Sequence, residues 1–231
     1  MQQSNSTKWT SVAKKFINGL TGIGLVFFVI LHLIGNLSLL SSNPHTFNAY
    51  AKALHDYGSL LYAAEIGLLL LFLVHIVSAL SVWIQNRRAR PVGYKVSRTR
   101  GAPSRKTISS VTMIITGVVI MAFVIWHVIT FRFGPGIAEG YVTTIKGEEA
   151  RDLYRLVSEF FSNPLYVALY VAVMILLGSH LRHGFWSAFQ SVGVNHPKYN
   201  PVIYGVGYLV AIVLAIGFIV LPVWIHFRGG F

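Results

Sequence analysis

Four of the chain's nine histidines, His32, His75, His127 and His180, each stand near the middle of a different long apolar run. An imidazole carries protons near neutral pH and is the commonest side-chain metal ligand. Inside the hydrocarbon of a bilayer an ionisable group is costly, so its presence there points to pairing, proton transfer or metal ligation. The chain has no cysteine, which excludes a disulfide framework, thiolate-ligated zinc and a cysteine-bound iron–sulfur cluster. A redox metal held by this chain must therefore be bound through histidine or an unusual ligand.

Depth sorts the four. A helix rises about 1.5 Å per residue, which puts His32 about 12 Å from Leu40 and His127 about 9 Å from Phe133, each measured to the outer end of its run. The second and fourth runs cross the other way, and there His75 stands about 14 Å from Ile84 and His180 about 14 Å from Phe189. The result is an outer pair, His32 with His127, and an inner pair, His75 with His180. Each pair comes from two helices that run in the same direction with one span between them, a diagonal relationship in a four-helix bundle.

Two imidazoles facing across a bundle fit the two axial positions of a haem iron, and such a six-coordinate iron carries electrons rather than binding oxygen. The expectation is two haem b groups with these histidines as axial iron ligands. Gly24 and Gly35 near His32, and Gly178 and Gly184 near His180, would let a flat macrocycle approach the backbone. Ordinary small-residue helix packing is the simpler account of any one of them. His183, one turn beyond His180, competes for the ligand role but lies nearer the interface. His45, His55, His196 and His226 fall in loops or at a span end and are expected to be solvated or interfacial.

The elements that must position these side chains are long helices. Of the 231 residues 54% are hydrophobic and 11% charged, and five segments reach the roughly 20 apolar residues needed to cross a hydrocarbon core of about 30 Å. They are 16–40, 60–84, 108–133, 165–189 and 201–225. The expected fold is an all-α integral membrane protein forming one transmembrane domain, with the first four spans as the histidine-bearing bundle. The first run is too long for the apolar core of a signal peptide and no small-residue cleavage pattern follows it, so it is expected to stay in the mature chain. No internal repeat is evident at this level. Residues 43–57 are expected to form a short surface helix, Gly134-Pro135-Gly136 breaks the chain, and 145–161 is expected to be partly helical and to lie on the surface.

Charge sets the orientation. Thirteen of the nineteen basic residues, Arg182 among them, lie on the side of the N-terminus, and all seven acidic residues lie on the other side. Positive charge resists translocation, so the N-terminal side is expected to be cytoplasmic, in the inner (plasma) membrane of the cell. The net charge of +12 is thus an anchoring charge beside spans, and nucleic acid is not an expected partner. The loop 87–106 has eight basic residues and no acidic one, a surface for anionic membrane lipid and for an acidic cytoplasmic partner.

The runs LHLIGNL around His32, LVHIVSAL around His75, WHVITFRFG around His127 and GSHLRHGFWSAFQSVG around His180 resemble the cytochrome b membrane-anchor subunit of succinate dehydrogenases and fumarate reductases, in its single-chain, five-helix, two-haem form. The resemblance covers nearly the whole chain and selects His180 over His183. It implies electron transfer between a quinone in the membrane and a flavoprotein and iron–sulfur subunit at the cytoplasmic face; a menaquinone suits this family type. Arg182 is a candidate for a haem propionate. Glu65, about 15 Å from His75 along the second span, is a candidate for proton transfer to quinone. Some relatives carry a glutamate two residues before the fourth ligand; here that position is Gly178, which puts their transmembrane proton path in doubt. The competing readings are another quinone-linked cytochrome b, such as a hydrogenase or formate dehydrogenase anchor, and a transporter with histidine proton relays.

Overall fold

The computed structural model describes residues 10–89 and 112–228. Nine elements are numbered here among those residues. Helix α1 is Ser11–Asn36, prolonged by a 3-10 turn Leu37–Leu40; α2 is Pro44–His55, α3 Ser59–Arg88 and α4 Met113–Phe131. Strands β1 Val142–Ile145 and β2 Glu148–Arg151 follow, then α5 Leu153–Ser162, α6 Pro164–Ser191 and α7 Asn200–Arg228. Beyond Ala89 the basic loop lies outside the described residues.

Five helices, α1, α3, α4, α6 and α7, are long and apolar enough to cross a membrane, which makes this a multi-pass membrane protein. Their ends follow local chemistry. Thr10 Oγ1 accepts from Ala13 N at 3.1 Å to cap α1, and Asn163 accepts from Leu165 N at 2.9 Å just ahead of Pro164 at the start of α6. Gly58, with φ of 55°, turns the chain into α3 in a conformation that favours glycine. The helices run a few residues past the sequence boundaries at most ends; α4 is shorter, starting at Met113 and ending at Phe131.

In the bundle α1 packs on α3 and α6, α4 packs on α6, and α6 and α7 have the most extensive contact. Among the described residues the backbones of α3 and α4 make at most sparse contact, and Arg132 bridges the two helices at one end through Glu65.

The segments joining the spans on one side assemble into a cap, in which 145–161 is partly helical, as expected, but begins with a hairpin that was not. The chain there forms a hairpin in which Ile145 pairs with Glu148 across a two-residue turn, Lys146-Gly147, with φ of 53° and 84°. Both positive angles belong to the tight turn that matches strand twist, and only glycine adopts them without strain. Helix α5 then buries Tyr154, Val157, Ser158 and Phe161, one face at i, i+3, i+4 and i+7, instead of lying free on the surface.

Asn48 of α2, only 2% exposed, fastens the cap. Its Nδ2 donates to Asp152 Oδ1 at 2.7 Å and its Oδ1 accepts from Tyr154 N at 2.9 Å. Arg151 donates to the carbonyls of Phe131, Gly134 and Pro135, supplying partners that the last turn of α4 cannot provide for itself. At the far end of α7 the ring of His226 donates through Nδ1 to Phe161 O at 2.9 Å, so this histidine is tied into the cap rather than solvated.

Candidate functional site

The structure brings His32 and His127, the predicted outer pair, into ring contact. The rings of His32 (α1) and His127 (α4) have centroids 5.8 Å apart and planes at 86°. His75 (α3) and His180 (α6) are near enough for their charges to interact. His183, one turn along the same helix, is also near enough to His180 for their charges to interact.

The side-chain hydrogen bonds of all four rings run through Nδ1. Thr21 Oγ1 lies 3.2 Å from His75 Nδ1, and Thr116 Oγ1 lies 3.1 Å from His180 Nδ1. A hydroxyl has one proton to give. Thr21 spends it on Ile17 O at 2.8 Å and Thr116 on Met113 O at 3.0 Å, so both accept from the ring. The inner histidines are thereby fixed as Nδ1–H tautomers, with the lone pair on Nε2. That is the state in which a histidine ligates a metal, the other ring nitrogen being held by an oxygen.

The outer rings are held differently. His127 Nδ1 meets the hydroxyl of Tyr170, itself 6% exposed, at 3.1 Å, and His32 Nδ1 meets Asn36 Nδ2 at 3.5 Å. Phe28 stacks on His32 and Phe123 on His127, each one turn earlier in the same helix.

These supporting residues expose a repeat between α1 and α4. Thr21-Gly22 precedes His32 as Thr116-Gly117 precedes His127, each threonine eleven residues ahead of its histidine, with Phe-Val-Ile starting four residues ahead in both. Eleven residues are close to three full turns, so threonine and histidine share one helix face about 16 Å apart. Helices α1 and α4 each carry an outer histidine and, three turns deeper, the threonine that orients an inner histidine on the next span.

Two glycines of the same repeat are placed beside the inner rings. A Cβ on Gly22 would lie 3.4 Å from His75 Cε1, and one on Gly117 would lie 3.6 Å from His180 Cε1. The four glycines singled out from sequence do other work: Cβ atoms on Gly24, Gly35, Gly178 and Gly184 would meet Leu71, Tyr50, Ala215 and Met113. They allow close packing between elements.

The spacing of the outer pair suits a haem iron. Two imidazoles bonded by nitrogen at about 2 Å on opposite sides of one metal have centroids roughly 6 Å apart, close to the spacing of His32 and His127. Among the described residues no three or more His, Cys, Asp or Glu converge on a point that could hold an ion.

No family model matches this chain, and neither does any curated protein or solved structure.

Two further predicted residues stand apart from the histidines. Glu65, near the cap end of α3, is held by a bidentate pair with Arg132 at the end of α4, at 2.7 and 3.1 Å. The carboxylate raises the pKa of Arg132 and keeps it charged. Arg182 is two residues from His180, about 200° around the helix, and its guanidinium lies 5.5 Å from the ring of Tyr208 on α7. It faces away from His180 and towards α7.

Proposed function

We propose that this chain is the di-haem cytochrome b anchor of a succinate:quinone oxidoreductase, acting as a succinate dehydrogenase or, with electrons reversed, as a fumarate reductase. The observation that carries this reading is the pairing of four intramembrane histidines at two levels, with Thr21 and Thr116 fixing the inner two in the ligating tautomer. His32 and His127 would hold one haem b and His75 and His180 the other, each supplying a one-electron carrier inside the bilayer.

The chain's residues divide the remaining work. The basic loop 87–106 offers a docking surface, on a cytoplasmic N-terminal side, for an iron–sulfur subunit joined to a flavoprotein. Glu65, with Arg132 beside it, stands on the cap side, where it could exchange protons with a quinone, a menaquinone in this family type. Gly178 packs against Ala215 and offers no proton path of its own. The likeness of the histidine-bearing segments to the family supplies the succinate chemistry; the paired histidines by themselves support a membrane electron carrier.

The deciding experiment is a reduced-minus-oxidised absorbance spectrum with haem quantitation on the purified protein, together with identification of its co-purifying subunits. Two haem b per chain and an accompanying flavoprotein are expected. Material without protoporphyrin would end the reading.

A further inference from the structure

On the face of α6 turned away from the histidines, a cavity of about 270 Å³ opens between α6 and α7. One end is formed by Arg182 and Tyr208, the middle by Gly178 and Ala211, and the other end by Ile175 and Ala215. Arg182 Nε is buried and has no hydrogen-bond partner among the described residues.

The chain offers this guanidinium no counterion. Its seven acidic residues, Asp56, Glu65, Glu139, Glu148, Glu149, Asp152 and Glu159, all lie in the cap or at the cap ends of the spans. Arg182 stands nine residues before the opposite end of α6 at Ser191, and Tyr208 eight residues after the start of α7 at Asn200. Both are therefore about 12–14 Å from the helix ends on the side away from the cap. Helix α6, with 28 residues, is about 42 Å long and overhangs a 30 Å core by about 6 Å at each end. Arg182 thus lies within a side chain's length of the interface, where a long basic side chain can reach a headgroup.

Polarity along the cavity has a direction. The cationic and aromatic end is the one nearer the membrane surface, and the aliphatic end reaches towards the bilayer centre. That gradient is the shape of a lipid standing in its own leaflet, with phosphate at Arg182 and a hydrocarbon chain against small side chains. We propose that this groove binds one anionic glycerophospholipid of the leaflet opposite the cap, its phosphate paired with Arg182 and one acyl chain lying between Gly178, Ala211, Ile175 and Ala215. A guanidinium suits the role because its planar fork meets phosphate oxygens in pairs. The site is separate from the histidine pairs, and the proposal does not depend on what those pairs hold.

The test uses the full chain purified in detergent with whatever subunits accompany it, stripped of lipid and titrated with phosphatidylglycerol, with phosphatidylcholine in a parallel arm, while native mass spectrometry counts bound lipid. One phosphatidylglycerol per chain is expected, held about tenfold more tightly than phosphatidylcholine, as charge-assisted pairing implies. Arg182→Gln should abolish that preference. Ile212→Trp, at the half-exposed rim of the cavity, should evict the lipid with Arg182 intact, and it decides the matter should the arginine variant fail to fold. Retention equal to the unaltered protein in both variants would overturn the proposal. So would displacement of the lipid by millimolar inorganic phosphate, the mark of a bare anion site, or loss of haem with unchanged lipid in Arg182→Gln, the mark of a propionate partner.

Discussion

Thr21 Oγ1 accepts a hydrogen bond from His75 Nδ1 at 3.2 Å, its own proton being committed to Ile17 O. An acceptor on Nδ1–H makes the opposite nitrogen a stronger donor and favours the more positive state of a metal bound there. Thr21→Val keeps the shape and removes the acceptor. Loss of one such bond, on the order of 1 kcal/mol, corresponds to roughly 40 mV for a one-electron couple. If the two pairs hold haems as proposed, the midpoint potential of the inner one should rise by about that amount with the outer one unmoved, and Thr21→Ser should restore it. A potentiometric titration in which Thr21→Val matches the unaltered protein would remove this role from the threonine.

The same geometry makes the pairs separable. His75→Ala or His180→Ala should delete the inner haem and spare the outer, and His32→Ala or His127→Ala should do the reverse. Haem quantitation and the reduced α-band give the count. Equal loss of both haems from a single substitution in the inner pair would contradict the pairing by level.

Five spans were legible in the sequence because they rest on a simple length rule, apolar runs long enough to cross a bilayer at a fixed rise per residue. The side chains that fix the rings were not legible, since Thr21 meets His75 and Thr116 meets His180 across helices 54 and 64 residues apart in the chain. A signal existed in the Thr-Gly repeat ahead of His32 and His127, hidden because apolar residues between its fixed points are interchangeable in lipid. The hairpin at Val142–Arg151 escaped for a different reason. Strands of four residues are too short for periodicity to declare, and only the turn Lys146-Gly147 marks them. For Arg182 a depth could be read from the sequence but not a direction around the helix, and the direction is what turns it from His180 towards Tyr208.

Glu65 and Arg132 form a bidentate pair at the cap end of α3 and α4. If the carboxylate passes protons to or from quinone, Glu65→Gln should slow quinone turnover by about 10²-fold or more while both haem bands persist. Arg132→Gln keeps the carboxylate and removes its partner, so it should change the pH profile of turnover and leave a larger residual rate than Glu65→Gln. Unchanged turnover in Glu65→Gln eliminates the assignment.

Asn48 connects α2 to the start of α5 through Asp152 and Tyr154 N. Replacement by alanine leaves a buried backbone N–H without its acceptor, a loss on the order of 1–3 kcal/mol. Amide hydrogen exchange should accelerate across α2, the hairpin and α5 and stay slow in the transmembrane core. Uniform acceleration through every helix would show that the cap and bundle open as one unit.

Acid should loosen the cap through Glu159. Its carboxyl is held below the usual range first by the hydroxyl of Tyr141 and then by the guanidinium of Arg155. A carboxyl whose pKa is lower folded than unfolded contributes stability that is fully present above the unfolded value and is lost as pH falls through the folded one. The group is largely solvent-facing, so the effect is local, and salt should weaken its Arg155 component. Exchange at Tyr141 and along the hairpin, corrected for the intrinsic pH dependence, should therefore rise on acidification below the ordinary carboxylate range. In Glu159→Gln that acid step should be missing. The same step persisting in the glutamine variant would assign it to another carboxyl of the cap, with Asp152, which accepts from both Asn48 and Arg155 N, the next to replace.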